Sequence, residues 1–255
     1  MTTDALHRLG TTVAVWAHPD DETYLSGGLS AALRDLGQRV VWVTATRGEA
    51  GVPDASPAGR RELGQLRTRE LEDAMAVLGV AEHHWLDYED GGCDAVDPAL
   101  AEARLAQILT DIGPDTVLTF GPDGVTGHRD HRAVGSWVDR AVAGLSSSPL
   151  LLHAVTTPAD REVDPALDND FDVFFLGGPR VCTPEEVDVR LELGGAQLER
   201  KVRALLSQRS QTGGLVDAVG LDRFRAWVAA ETFARPADRA GPFDVAGPEP
   251  SAGAQ

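Results

Sequence analysis

Short apolar runs alternate with helix-period segments along the first 155 residues, and that alternation leaves the chain few architectures. Residues 11–16, 39–46 and 116–120 are rich in Val, Thr and aromatic side chains and nearly continuously apolar, the pattern of strands covered on both faces. Between them, Leu25, Leu29, Ala32, Leu33 and Leu36 recur at helical spacing ahead of Gly37. Leu63, Leu66, Leu71, Ala74, Met75 and Leu78 do the same over residues 61–78. Residues 97–112 open on Asp97 and Pro98, a cap followed by the residue that favours a first helical turn. Residues 131–145 also read as a helix. Strand and helix in turn predict an α/β protein with a Rossmann-like, mostly parallel sheet and helices on both faces. Such sheets bind ligands beyond the carboxyl ends of their strands, where the strand order switches.

The remaining segments extend this frame. Residues 47–59 hold three glycines and two prolines and read as a loop. Further strands are expected at 83–86, 150–155, 171–176 and 187–193. The last is half exposed, because Val187, Val189, Leu191 and Leu193 alternate with charged residues. Helices are expected at 197–206 and 221–230. No domain-length linker or internal repeat interrupts the chain, so a single domain is expected over 1–240, followed by a mobile Gly, Pro and Ala tail at 241–255.

Composition, at 42% hydrophobic and 25% charged, is that of an ordinary globular chain. A formal net charge of -17 argues against a nucleic-acid or anionic-membrane partner, and the arginines are scattered with Lys201 as the only lysine. No apolar stretch approaches the roughly 20 residues of a membrane span. Residues 1–10 lack the basic-then-apolar pattern of a signal peptide, so a cytoplasmic location is expected. Cys93 and Cys182 stand apart and form neither a disulfide framework nor a thiolate metal site. Oligomeric state has no signature in the sequence.

Titratable groups concentrate at two strand ends. His18-Pro19-Asp20-Asp21-Glu22 follows the first apolar run, and Gly127-His128-Arg129-Asp130-His131 follows the run at 116–120 and a Gly-Pro break. His and carboxylate donors suit a divalent transition metal, and catalytic zinc takes three protein ligands. His18 and Asp21 are three apart, so a helical turn after Pro19 puts both on one side and Asp20 on another, as a ligand pair with a separate base requires. His128 and His131 repeat the spacing, so one can bind metal while the other faces a substrate. Asp130 between them can orient an imidazole. Taken singly, each cluster reads as a polar turn or solvated loop. Jointly, at the ends of two buried strands, they point to a shared metal site. Two histidines and a carboxylate also suit iron, so Zn2+ and Fe2+ are both candidates.

These residues resemble the zinc-dependent N-acetylglucosaminyl deacetylases of the PIG-L or LmbE-like family. Its Ala-His-Pro-Asp-Asp-Glu signature stands complete at Ala17 to Glu22, and its Gly-His-x-Asp-His loop matches Gly127 to His131. Thr119-Phe120-Gly121-Pro122-Asp123-Gly124, Thr46-Arg47-Gly48-Glu49-Ala50-Gly51, Arg67 with Glu70, and Leu78-Gly79-Val80 extend the likeness over roughly residues 11–235. The resemblance implies zinc held by His18, Asp21 and His131, with Asp20 as general base and His128 stabilising developing charge. It implies Arg67 and Asp90 as contacts to a small amino-sugar substrate; Asp130, from its place between the two histidines, is expected as a further catalytic-site residue. Glu22 reads as a helix-start carboxylate favoured by the helix dipole.

Two rival readings are a thiol-conjugate amidase of the same family and an α/β binding module without activity. Retention of the three ligands and Asp20 speaks against the second, and no Gly-x-Gly-x-x-Gly follows residues 13–16 to suggest a dinucleotide. Two departures stand out. Thr126 occupies a position where some members of the family have a catalytic tyrosine, and Gln208 begins Gln208-Arg209-Ser210-Gln211 where many have a histidine.

Overall fold

The computed structural model describes residues 3–52, 56–171, 173–174 and 176–237. Helix α1 (Thr3–His7) leads into strand β1 (Thr12–Trp16), helix α2 (Asp21–Asp35), β2 (Val40–Thr46), α3 (Pro57–Leu78) and β3 (Glu82–Tyr88). Then come α4 (Pro98–Ile112), β4 (Thr116–Phe120), α5 (Arg129–Ala143) and β5 (Leu150–Ala154). Two short helices, α6 (Pro158–Arg161) and α7 (Pro165–Asp170), precede β6 (Val189–Glu192), α8 (Gly195–Ser207), α9 (Arg209–Val219), α10 (Leu221–Trp227) and β7 (Ala230–Ala234). The expected tail at 241–255 lies outside the described residues.

All seven strands form one sheet in the order β3-β2-β1-β4-β5-β7-β6, so the α/β expectation holds. Strands β1 to β5 pair in parallel, while β7 runs antiparallel to both β5 and β6. Every residue of β1, β2 and β4 is buried, which explains why these segments read as continuous apolar runs. The chain winds outward from β1 through β2 to β3, then returns to place β4 on the other side of β1. The carboxyl ends of β1 and β4 therefore flank the switch point, and each histidine motif leaves one of them. Helix α5 approaches this junction closely: a Cβ added at Gly135 would sit 2.7 Å from the Phe120 carbonyl oxygen. Among the described residues, no helix is long and apolar enough to cross a membrane.

Helix α2 is pinned from outside in mid-course. The Gly28 and Leu29 amides donate to the two oxygens of Glu231 on β7, each at 2.7 Å. Lys201 of α8 lies 2.8 Å from Glu231 and donates to the Tyr24 carbonyl at 2.7 Å. Both charged side chains are buried, at 0% and 1% exposure, so each depends on the other and on these backbone groups.

Two expectations fail at the far end of the chain. Within the strand expected at 171–176, the described residues Phe171, Val173, Phe174 and Leu176 lie in turns. The sheet position beside β5 is filled by β7 instead, and Val173 and Phe174 spend their apolar surface lining a cavity. The helix expected at 221–230 stops at Trp227, and its last residue begins β7. Helix α9 has no counterpart in the sequence reading because Thr212, Gly213 and Gly214 are poor helix formers. The polar stretch after β5 folds as α6 and α7 through local caps, a Thr157 and Asp160 capping box and an Asp164 cap, each followed by proline.

Candidate active site

The turn after β1 is built by local hydrogen bonds. The Ala17 carbonyl accepts both the Thr46 amide and hydroxyl at 3.0 Å, tying this turn to the end of β2. The Asp21 carboxylate accepts the His18 amide at 2.8 Å. Asp20 has φ 154° and ψ -32°, a conformation that residues with a Cβ seldom adopt, and Glu22 accepts its amide at 3.1 Å. The Asp20 carbonyl accepts the amides of Thr23 and Tyr24, each at 2.9 Å, which starts α2.

Three electron-pair donors converge beyond this turn. His18 Nδ1 lies 3.1 Å from His131 Nε2, and Asp21 lies 3.5 Å from the first and 3.4 Å from the second. The outer ring atoms determine the tautomers. His131 Nδ1 faces the Gly124 carbonyl at 2.9 Å and must carry the hydrogen, which leaves a lone pair on Nε2. His18 Nε2 faces Asp90 at 3.1 Å and Asp130 at 3.2 Å, so it carries the hydrogen and Nδ1 has the lone pair. Two nitrogen lone pairs and a carboxylate thus point at one another and call for a cation. The 3.1 Å between the two nitrogens and the 3.4 Å from His131 Nε2 to Asp21 Oδ1 are close to the ~3.3 Å between ligand atoms of tetrahedral zinc with bonds of about 2.0–2.1 Å, while the 3.5 Å contact to His18 is made by the other oxygen, Oδ2.

Burial opposes charging of His18, but hydrogen bonds to Asp130, Asp21 and Asp90 raise its pKa well above the ordinary value, so a metal entering the site must displace a proton from Nδ1. Burial also works against ionising the carboxyls, yet His131 and His18 hold Asp21 below the usual range, and His18 holds Asp90 at about 2. Burial lowers His131 to about 4, with Asp21 opposing. His18, Asp90 and Asp130 form a second cluster with metal-like spacing, but a proton on His18 Nε2 already accounts for it. Asp130 is fully buried and also accepts the Gly91 and Cys93 amides at 2.7 and 3.1 Å, so it orients His18 rather than facing a ligand. Both Asp90 oxygens are likewise taken, one by His18 and the other by the Ala50 amide at 2.7 Å.

Two groups border the donors with other capacities. His128 brings a ring nitrogen within 4.8 Å of donor atoms of His18 and His131. Its Nδ1 caps α5 by accepting the Asp130 amide at 3.2 Å, so Nε2 carries the hydrogen and can donate. Burial and then His18 lower its pKa, which keeps it a neutral donor. Asp20 lies 3.3 Å from Arg67 and lines the same cavity as Asp21 and His131. Burial pushes its carboxyl up to about 6, opposed by Arg67 and reinforced by Asp21.

Arg67 is buried and donates to the carbonyls of Gly48 and Pro19 at 2.9 and 2.8 Å, so it ties the loop after β2 to the turn after β1. A Cβ at Gly48, whose φ is +66°, would meet the guanidinium at 2.3 Å. Only glycine fits there.

A family model described as PIG-L, GlcNAc-PI de-N-acetylase, matches residues 13–142, which hold both motifs. The chain belongs to the PIG-L family. A Bacillus cereus relative named probable N-acetyl-alpha-D-glucosaminyl L-malate deacetylase 2 is 29% identical over 80% of this chain and 85% of its own length. A Kineococcus radiotolerans relative, named 1D-myo-inositol 2-acetamido-2-deoxy-alpha-D-glucopyranoside deacetylase, is 35% identical over 50% of this chain. The match spans less than half of that relative, 43%. Among solved structures, N,N'-diacetylchitobiose deacetylase from Pyrococcus horikoshii superposes with a TM-score of 0.60 at 23% identity, covering 91% of this chain and 85% of the other. That likeness shows the fold.

This PIG-L chain also places residues at the site that sequence reasoning assigned elsewhere. Glu22 does begin α2, but it is fully buried between the Asp20 amide and Thr44, which in turn lies 2.8 Å from His83 Nε2. Burial, reinforced by Asp21 and opposed by Thr44, pushes its pKa up to about 8, so it holds the Asp20 backbone as a neutral acid rather than meeting the helix dipole as an anion. Thr126 lies 3.3 Å from His131 Nδ1. Gln208 is buried, neither of its side-chain polar atoms has a hydrogen-bond partner among the described residues, and it is not among the residues lining the cavity beside the donors. No local pattern marked Tyr24, Phe174 and Trp227 as one cavity wall, because those residues are far apart in the chain.

Proposed function

We propose that this protein is a metal-dependent hydrolase that removes an N-acyl group, in the simplest case acetyl, from an amino-sugar-containing small molecule. The convergence of two imidazole lone pairs and the Asp21 carboxylate within 3.1–3.5 Å of one another carries the reading. Family membership and the names of the relatives support the amino-sugar substrate. The fold alone would not, since one fold hosts many chemistries. His18, Asp21 and His131 would hold the metal, with zinc favoured by the donor set and Fe2+ compatible with it. When bound, such an ion acidifies water and polarises an acyl carbonyl.

The chain's own groups supply the rest. Asp20, which lines the cavity together with Asp21 and His131, accepts a proton from water as its oxygen adds to the amide carbon. His128 Nε2–H donates to the oxyanion that forms on the former carbonyl. The C–N bond then breaks as the proton passes to nitrogen, which gives a carboxylic acid and a primary amine that exchange a proton to carboxylate and ammonium at neutral pH. Asp130 and Asp90 hold the His18 ring with Nδ1 turned to the donor cluster, and Arg67 positions Asp20.

Incubation of the purified protein with N-acetylated amino sugars should release primary amine, stop after chelation and resume with added zinc or iron(II). Amine release that ignores chelation would remove the metal from the reading. Asp130→Asn should weaken metal binding about 10- to 100-fold, measured by competition with a chromogenic chelator. The asparagine keeps the shape but turns its NH2 either toward the Cys93 amide or toward the Gly91 and His18 hydrogens, which share one oxygen, and it loses the negative charge beside His18, so an unchanged affinity would show that the Asp130 carboxylate does not orient His18.

A further inference from the structure

A cavity of about 600 Å³ opens directly from the donor cluster, with Asp20, Asp21 and His131 at one end. This volume suits a drug-sized ligand, and an acetyl group would leave most of it unfilled. Away from the donors its wall is mainly apolar, built from Tyr24, Val163, Val173, Phe174, Trp227 and Val228. The rings of Tyr24 and Trp227 meet edge to face at 5.9 Å, giving a firm aromatic surface.

The charged residues in this wall are engaged with one another. Arg190 lies 2.7 Å from Asp160 and 3.2 Å from Glu192, and Asp168 accepts the Trp227 indole at 3.0 Å with Arg161 at 3.5 Å. The Arg161 guanidinium also lies over the Phe174 ring at 4.2 Å. A charged ligand group would have to compete with these pairs, and drawing an arginine away would strand Asp160 or Asp168, whose side chains are only 16% and 10% exposed. An uncharged apolar group only displaces water.

We propose that this cavity is a subsite for an uncharged apolar substituent of the amino-sugar substrate, an alkyl or aryl group carried either as a longer N-acyl chain or on the glycosidic oxygen. The sugar part rests on the hydrolase reading above; the apolar occupant rests on the cavity. Two substrate series separate the two sources: glucosamines N-acylated from acetyl to octanoyl, and N-acetylglucosamine glycosides from methyl to octyl. In one series kcat/KM should climb by up to about fourfold per buried methylene until the cavity is full. Hydrolysis of the shortest compounds with a flat response in both series would overturn the subsite and leave the hydrolase reading intact. If no compound is hydrolysed, alkyl glucosides of increasing length, which have no amide, test the cavity by calorimetry. Affinity that rises with length keeps the subsite while the hydrolase reading falls, and absent or length-independent binding removes the subsite.

Val163 is 47% exposed at this wall, so Val163→Asp can place a charge there without opening the core. With folding checked by circular dichroism, that substitution should flatten the length dependence. A slope that survives unchanged would place the chain elsewhere and overturn the proposal.

Discussion

Asp20→Asn should leave a protein that binds metal with unchanged stoichiometry but hydrolyses an N-acetylated amino sugar about 10²- to 10⁴-fold more slowly. The amide has the shape of the carboxylate and can keep a contact to Arg67, which lies 3.3 Å from Asp20. It cannot take a proton from water. His18, Asp21 and His131 are untouched, so metal analysis of the variant isolates the base from the ligands. The loss should fall on kcat, because the proton moves in the transition state and not on binding. Turnover within a few fold of the parent, with metal content intact, would remove Asp20 from the base role and turn attention to His128 as the remaining titratable group beside the donors. A loss of metal together with activity would instead assign Asp20 to the structure of the turn.

Lys201→Met should destabilise the fold by about 3–5 kcal/mol, the usual effect of removing one partner from a buried ion pair. Lys201 and Glu231 are both buried, and the methionine keeps the apolar stem while leaving Glu231 as a buried anion. The Tyr24 carbonyl loses a donor as well. For a chain of this size, such a change lowers the melting temperature by on the order of 10 °C. Lys201→Met combined with Glu231→Gln should cost less than the sum of the two, because each single change strands the other charge. Additive losses would mean that the pair does not act as a unit. The effect reaches the site through α2, which carries Asp21 and Tyr24 on its first turns.

Lys201 also shows where sequence reasoning ended. As the only lysine in an arginine-dependent chain it was visible, but its 0% exposure was not. Its partner lies 30 residues away on β7, a strand hidden at the end of an expected helix. Such pairings depend on the final path of the chain rather than on any local period. The same holds for the cavity, whose aromatic walls come from α2, the turns after α7 and α10. The strand expected at 171–176 failed for a related reason. Its apolar pattern was real, but the sheet edge it needed belongs to β7, so the apolar side chains became cavity lining.

Much of the site was legible before any coordinates. His18, Asp20 and Asp21 lie on one turn, and His128, Asp130 and His131 on another, so local spacing could group them within each motif. Buried β1 and β4 announced themselves as apolar runs, and parallel-sheet topology brings the ends of neighbouring strands together. Sequence thus determined the sheet class, the two motifs and the kind of chemistry their residues can perform. Only the tertiary structure decided the division of labour. The Gly124 carbonyl on His131, and Asp90 and Asp130 on His18, set which ring nitrogens turn their lone pairs inward. Burial among residues distant in the chain made Glu22 a neutral brace and Arg67 a staple. Hydrogen-bond direction and desolvation depend on what surrounds a side chain in space, and that is why neither can be read from a motif.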